Sequence, residues 1–138
     1  MVLRSANLIE VAAGLVFRHG QLLITRRYPQ AHLGGLWEFP GGKREPDETF
    51  EDCLRRELRE ELGIEVSVGG LLASVAHAYP DKKVLLKFFR CDWLQHEPRA
   101  VGCYAFEWVR APQLAKYSFP AADASLLERL KNSAELWR

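Results

Sequence analysis

A mixed β-sheet covered by helices on both faces, an α/β/α sandwich of the α+β kind, is the fold class that this sequence predicts. Three observations carry it. The 138 residues are 48% hydrophobic and 11% aromatic, enough for one compact domain with its own core. Strand-like and helix-like patterns follow one another as β-β-β-α-β-β-β-α, which does not alternate as parallel βαβ units do. No internal repeat, low-complexity tract or linker divides the chain, so residues 1–138 read as one domain.

The elements follow in order. "EVAAGLVF" (Glu10 to Phe17) is an apolar strand-like run, His19-Gly20 a tight turn, and "QLLITRR" the second strand of a hairpin. "LWEFP" (Leu36 to Pro40) is a short strand that runs into Gly41-Gly42. A helix then starts at Thr49, a good N-cap, with Glu51 and Asp52 at the positive end of its dipole, and stops at Gly63. "EVSVGGLLASVAHAY" and "KVLLKFFRCDWL" are strands joined by a turn at Pro80-Asp81-Lys82-Lys83. "YAFEWV" is another short strand. "DASLLERLKNSAELW" closes the chain as an amphipathic helix, with Leu126, Leu127 and Leu130 on one buried face and Asp123 at its N-cap position.

Composition narrows the function. Nineteen basic residues against eighteen acidic leave a net charge of +1, so no bulk field favours nucleic acid or an anionic membrane. Cys53, Cys91 and Cys103 are odd in number and lack CxxC spacing, which predicts reduced thiols. The N-terminus has no signal-peptide pattern, and no segment approaches a membrane span. The expectation is a cytoplasmic protein, monomeric or a homodimer, with no nucleic-acid polymer or membrane as partner.

"RRELREELGI" (Arg55 to Ile64) is the stretch that carries chemistry. Glu57, Glu60 and Glu61 lie at i, i+3 and i+4 and share one side of a helix. Phe50, Leu54 and Leu58 form an apolar stripe beside them. One reading is a solvated face in which Arg55, Arg56 and Arg59 neutralise the glutamates. The other is a site for a hard divalent cation, Mg²⁺ or Mn²⁺, held by oxygen ligands.

The longer pattern decides between them. From Gly42 the chain reads G-x5-E-x7-R-E-L-x-E-E-x-G-I, filled by Gly42, Glu48, Arg56, Glu57, Leu58, Glu60, Glu61, Gly63 and Ile64. This resembles the Nudix box without a departure. "ITRRYPQAHLGGLWEFPGGK" and "FPAAD" are similar to the MutT-type branch, which hydrolyses nucleoside triphosphates. The resemblance implies a Nudix-type sandwich, Mg²⁺ (with Mn²⁺ as alternative), and release of pyrophosphate and a nucleoside monophosphate. It makes Glu57, Glu60 and Glu61 metal ligands together with the Gly41 carbonyl, and gives Arg56 and Glu48 the task of orienting them. It also matches Arg27, His32 and Asp123 to positions that meet substrate. From the residues themselves, Lys43 after the two glycines suits phosphate as a point charge, Phe39 flanks the site, and Tyr79 offers a ring for stacking on a base.

Two positions depart from the branch. Relatives carry a further glutamate near Gly102, where this chain has none and Glu97 is the nearest upstream carboxylate. Relatives that read oxidised guanine carry an asparagine where Asp123 stands. An ionised aspartate only accepts, whereas an asparagine also donates. The substrate expectation is 8-oxo-dGTP, with cytidine nucleotides, ADP-ribose or dinucleoside polyphosphates as alternatives and a non-catalytic nucleotide-binding module as a further one.

Overall fold

The computed structural model describes residues 7–138. Residues 1–6, on which the reading of the N-terminus partly rests, lie outside them. Strand β1 (Leu8–Arg18) turns through His19 and Gly20, both at positive φ, into β2 (Gln21–Arg26). Such a two-residue turn matches the twist of the hairpin it closes. β1 also runs parallel to β6 (Lys83–Gln95), which pairs antiparallel with β5 (Glu65–Ala78). The sheet order is β3-β2-β1-β6-β5, with β3 spanning Trp37–Glu38 and β7 (Ala105–Val109) beside β2. The sheet is therefore mixed, as predicted.

"LWEFP" does not form one strand. β3 is only Trp37–Glu38 and pairs with β2, whereas β4 (Gly41–Lys43) pairs with β1. Pro40 lies between them; it has no N–H for a ladder, and its carbonyl accepts from the Gly14 N–H at 2.8 Å. β1 pairs with β4 over Val11–Ala13 and with β2 from Val16 onward. The two central strands thus part company, and residues 37–43 fill the fork.

Alternation along β1 divides the core. Ala12 and Val16 face helix α1 (Phe50–Leu62), packing with Leu54, Leu58, Leu62 and Phe89. Ala13, Leu15 and Phe17 face helix α2 (Ala124–Asn132), packing with Leu126, Leu130 and Trp137. All three cysteines are buried free thiols. Among the described residues no helix is long and apolar enough to cross a membrane.

The caps of α1 are those its sequence calls for. Thr49 Oγ1 accepts from the Asp52 N–H at 3.0 Å, and Gly63 ends the helix at φ 70°. The last helix departs from expectation at both ends. It stops at Asn132, and Ala134–Trp137 continues as a separate 3₁₀ turn. Asp123 ends a preceding 3₁₀ turn at φ −89°, ψ 0°, and its side chain makes no cap bond. An N-cap needs an extended residue, and here the chain enters α2 already coiled.

Candidate active site

The site lies where the fork meets α1. A Cβ on Gly41 would fall 1.9 Å from the Ala12 carbonyl oxygen, and one on Gly42 would fall 2.2 Å from Cδ of Glu57. The absence of side chains at these two positions lets β4 lie against β1 and tucks Glu57 against the strand.

One guanidinium gathers the acids. Arg56 Nε and Nη2 donate to the two oxygens of Glu48 at 3.0 and 2.7 Å. Its Nη1 donates to Glu57 at 3.0 Å and to Glu60 at 3.3 Å, and Nη2 reaches the Lys43 carbonyl at 3.0 Å. The other two arginines do not serve these glutamates. Arg55 pairs with Asp52 at 2.7 Å and Arg59 with Glu65 at 2.8 Å. The solvated-face reading therefore holds for Arg55 and Arg59 only.

The electrostatics separate the four carboxylates. Hydrogen bonds from Arg56 pull Glu48 down to about 2. Burial raises Glu57, against the pull of Arg56. Burial, and then the charges of Glu38 and Glu57, push Glu61 up to about 8. Glu61 makes no side-chain hydrogen bond or ion pair among the described residues, while Glu60 stands largely exposed beside Arg56. Among the described residues no trio of acidic, histidine or cysteine side chains closes into a ready cage. Glu57 and Glu60 are turned onto the guanidinium, and like charges do not crowd together unaided. The donor set nevertheless fits a hard divalent cation: every ligand is oxygen, and Glu61 is a shielded carboxyl with no partner of its own.

Arginine's planar fork, not merely its charge, makes this web. Arg56→Lys is expected to raise the Mg²⁺ concentration for half-maximal activity about tenfold or more, read from a Mg²⁺ titration. An unchanged midpoint would remove the orienting role.

The loop before β7 places Glu97, the nearest carboxylate upstream of Gly102, away from the site. Glu97 pairs with Arg18 at 2.6 Å, at the far end of the β1–β2 hairpin, and does not reach the glutamates. Gly102 does lie against α1: a Cβ there would sit 3.2 Å from both Cα and Cγ of Glu61.

The remaining residues divide. Arg27 donates Nη1 to Glu38 at 3.0 Å and Nε to the His32 carbonyl at 2.6 Å. The part of His32 that is engaged is thus its backbone, and the imidazole is exposed. Lys43 is exposed on β4 next to the glycines. Phe39 faces away from the glutamates. It is 5% exposed, with its ring 6.0 Å from Phe88 and 5.1 Å from Phe119, because alternation turns it with Trp37 into the α2 side of the core. Tyr79 is not brought here either. Its turn closes the β5–β6 hairpin beside Leu8, whereas Gly41 pairs with Ala13, roughly 17 Å further along β1 at 3.3 Å per residue. Tyr79 packs instead on His77, 4.4 Å away.

Asp123 is half-buried, and burial followed by the Glu38 charge raises it to about 6. Glu38 thus links Arg27, Glu61 and Asp123, and sequence reasoning missed it. The signal was available: between Trp37 and Phe39, a strand must point Glu38 to the opposite, α1-facing side. Its cross-strand neighbour Thr25 is fully buried, with a hydroxyl that has no partner among the described residues.

The raised carboxyl of Glu61 gives a pH dependence. A carboxyl held above its ordinary 4.5 favours the folded state while neutral. That contribution is full below 4.5 and is lost as pH rises through about 8. A cation held by this carboxylate would remove the same proton. Mn²⁺ affinity is therefore expected to rise about tenfold per pH unit between pH 6 and 7.5 and to level off above 8. Calorimetry in two buffers should detect about one proton released at pH 7; a flat profile with no proton release would exclude a neutral Glu61.

Comparison with known proteins accords with this geometry. A family profile described as NUDIX domain matches residues 12–129. An 8-oxo-dGTP diphosphatase of Proteus vulgaris is 48% identical over 82 residues, which are 59% of this chain and 73% of that protein. A CTP pyrophosphohydrolase of Escherichia coli (strain K12) is 38% identical over 122 residues, 88% of this chain and 90% of the other. The crystal structure of the MutT protein from Methanosarcina mazei Go1 superposes with a TM-score of 0.78 at 26% identity, over 91% of this chain and 94% of that one. With the profile running from β1 into α2 and the likeness to MutT nearly end to end, the chain belongs to the Nudix family, in its MutT-type branch, as a hydrolase of phosphoric anhydrides.

Proposed function

We propose that this enzyme is an Mg²⁺-dependent nucleoside triphosphate pyrophosphohydrolase, with Mn²⁺ as an alternative ion and 8-oxo-dGTP as the leading substrate. The observation that carries the reading is the Arg56 web, which holds Glu48, Glu57 and Glu60 beside Glu61, whose carboxyl has no partner among the described residues. Glu57, Glu60, Glu61 and the Gly41 carbonyl would hold the ion. Bound there, it neutralises anhydride oxygens and lowers the pKa of water. The chain does the rest. Arg56 and Glu48 orient the ligands, and one of the clustered glutamates, through the carboxylate oxygen it keeps free, or a nearby carboxylate, takes the proton from water. Arg27, with Nε and Nη1 engaged by His32 and Glu38, offers its remaining guanidinium nitrogen to the substrate, and Lys43 meets phosphate as a point charge.

A second reading concerns the base and rests on Asp123. Free of capping and raised to about 6, it is neutral in acid and ionised above. A neutral carboxyl donates and accepts, which suits the amino and ring-nitrogen edge of cytosine. An ionised one suits the two donors of a guanine edge. Likeness to a CTP pyrophosphohydrolase supports the cytidine alternative. A nucleotide panel with Mg²⁺ at pH 5.5 and 8, scored for pyrophosphate against orthophosphate, tests both readings; orthophosphate as the sole product would overturn the reaction assigned.

Asp123→Ala is expected to lower kcat/KM selectively for the best nucleotide. A lost hydrogen bond to a charged group is worth roughly 1.5–3 kcal/mol, which narrows selectivity by about one to two powers of ten. Stability should not fall, since no cap is lost and the substitution removes a carboxyl whose ionised form is disfavoured by burial and by Glu38. Asp123→Asn keeps the shape and alters the pattern of donors. A ranking of nucleotides that survives both substitutions would end the base-reading role.

A further inference from the structure

The last carbonyls of a helix have no partners within it. In α1 the Gly63 N–H bonds back to the Arg59 carbonyl, but the carbonyls of Glu61 and Leu62 are met from elsewhere in the chain. Val101 and Gly102 both donate their N–H groups to the Glu61 carbonyl, at 3.1 and 2.9 Å, and the Arg99 N–H donates to Leu62 at 2.9 Å. The same short stretch presses on the Glu61 side chain: the Cβ that Gly102 lacks would lie 3.2 Å from Cγ and 3.6 Å from Cβ of Glu61.

The stretch is fastened at its other end too. Glu97 pairs with Arg18 at 2.6 Å. The Arg18 guanidinium lies 4.8 Å from the Trp93 ring and 4.2 Å from the Trp108 ring. Trp93 Nε1 donates to the His96 carbonyl at 2.8 Å. Next to Gly102, Cys103 is buried with Leu58 and Leu62 in the α1 side of the core. Residues 96–103 are thus tied to the sheet on both sides of their contact with α1.

We propose that residues 99–102 form a backbone strap that positions Glu61 for the cation, with Gly102 as its contact point. The inference rests on the assignment of Glu61 as a metal ligand. The strap fixes the Glu61 main chain through two N–H groups and bounds the stem of its side chain through the bare Cα of Gly102. The carboxylate thereby has a preset direction, although no side chain of the sheet or the helix holds it. A side chain at 102 would push on Cα of Glu61 itself, which cannot swing aside as a flexible tip can.

The test is Mn²⁺ affinity of the cation-free protein, measured by electron paramagnetic resonance, with thermal unfolding alongside. Gly102→Ala is expected to raise Kd about tenfold or more, the usual cost of losing an orienting partner, with at most a modest fall in Tm, since a contact at 3.2 Å asks the helix end to give by only a few tenths of an ångström. Gly70→Ala, at a glycine with no atom within 4 Å of its missing Cβ, is the control and should bind as the parent does. A Gly102→Ala Kd within twofold of the parent, or an equal loss in the control, overturns the strap. Glu61→Gln separates this failure from that of the site: parental Mn²⁺ binding by that variant overturns the ligand assignment. If Gly102→Ala does not fold, amide exchange in the parent decides. Mg²⁺ should slow exchange at Val101 and Gly102, and unchanged rates there reject the proposal.

Discussion

Glu61→Gln is expected to remove nearly all activity and leave the fold intact. The amide has the carboxylate's shape but neither its charge nor its capacity as a metal ligand. Losing one ligand takes away several kcal/mol of charge stabilisation in the transition state, and at 1.36 kcal/mol per tenfold that is about a thousandfold or more in kcat. The folded protein should not suffer. Glu61 is raised to about 8 by burial, so near neutral pH the cation-free parent already carries it largely uncharged. Glu60→Gln should cost activity similarly, with still less effect on stability, because Glu60 is 59% exposed. Both variants turning over nucleotide like the parent at saturating Mg²⁺ would refute the assignment of ligands.

Gly42→Ala should be nearly as damaging to activity, by a different route. The added Cβ falls 2.2 Å from Cδ of Glu57 and 2.4 and 2.5 Å from its oxygens. Those atoms are the tip of a flexible side chain, so the carboxylate swings away and the backbone stays. Displacing a catalytic group by about 1 Å costs roughly 100-fold. Gly41→Ala gives the contrasting outcome. Its Cβ meets the Ala12 carbonyl oxygen at 1.9 Å, so β4 must leave β1, at a cost in stability of roughly 3 kcal/mol. Paired unfolding and activity measurements distinguish the two. A Gly42→Ala enzyme with parental kcat would show that Glu57 needs no fixed place.

Local chemistry made α1 legible. Thr49 and Gly63 mark its ends through bonds that span three or four residues, and no distant partner is needed to see them. The path after Trp37 was not legible for the opposite reason. Whether Gly41–Lys43 belongs to β2 or β1 depends on a pairing with Val11–Ala13 far back in the chain. Glycines and a proline signal that something changes, not which strand receives the chain. Asp123 misled in a further way. Its residue type and place suit a cap, but the preceding 3₁₀ turn sets its backbone in the helical region, where the side chain does not reach back. In the site, the acids of one helix could be read from spacing. Glu38, by contrast, joins them only through the facing of a strand two residues long, and the strap at Gly102 comes from a turn of chain with no pattern of its own.

The parallel pairing of β1 with β6 has a consequence for synthesis. Its register joins Leu8 to Lys83 and Phe17 to Asp92, so β1 leaves the ribosome roughly 75 residues ahead of its partner. At about 5–20 residues per second the delay is about 4–15 s. During that interval the apolar strand has the β2 hairpin on one side and an open edge on the other, the kind of edge that recruits other chains. Slower elongation lengthens the exposure, and a chain stalled short of β6 cannot end it. Nascent-chain yield should therefore depend on translation speed between codons 20 and 95 more than on speed beyond them, β7 and the C-terminal helix having only to join a sheet in which β1 is already paired on both sides.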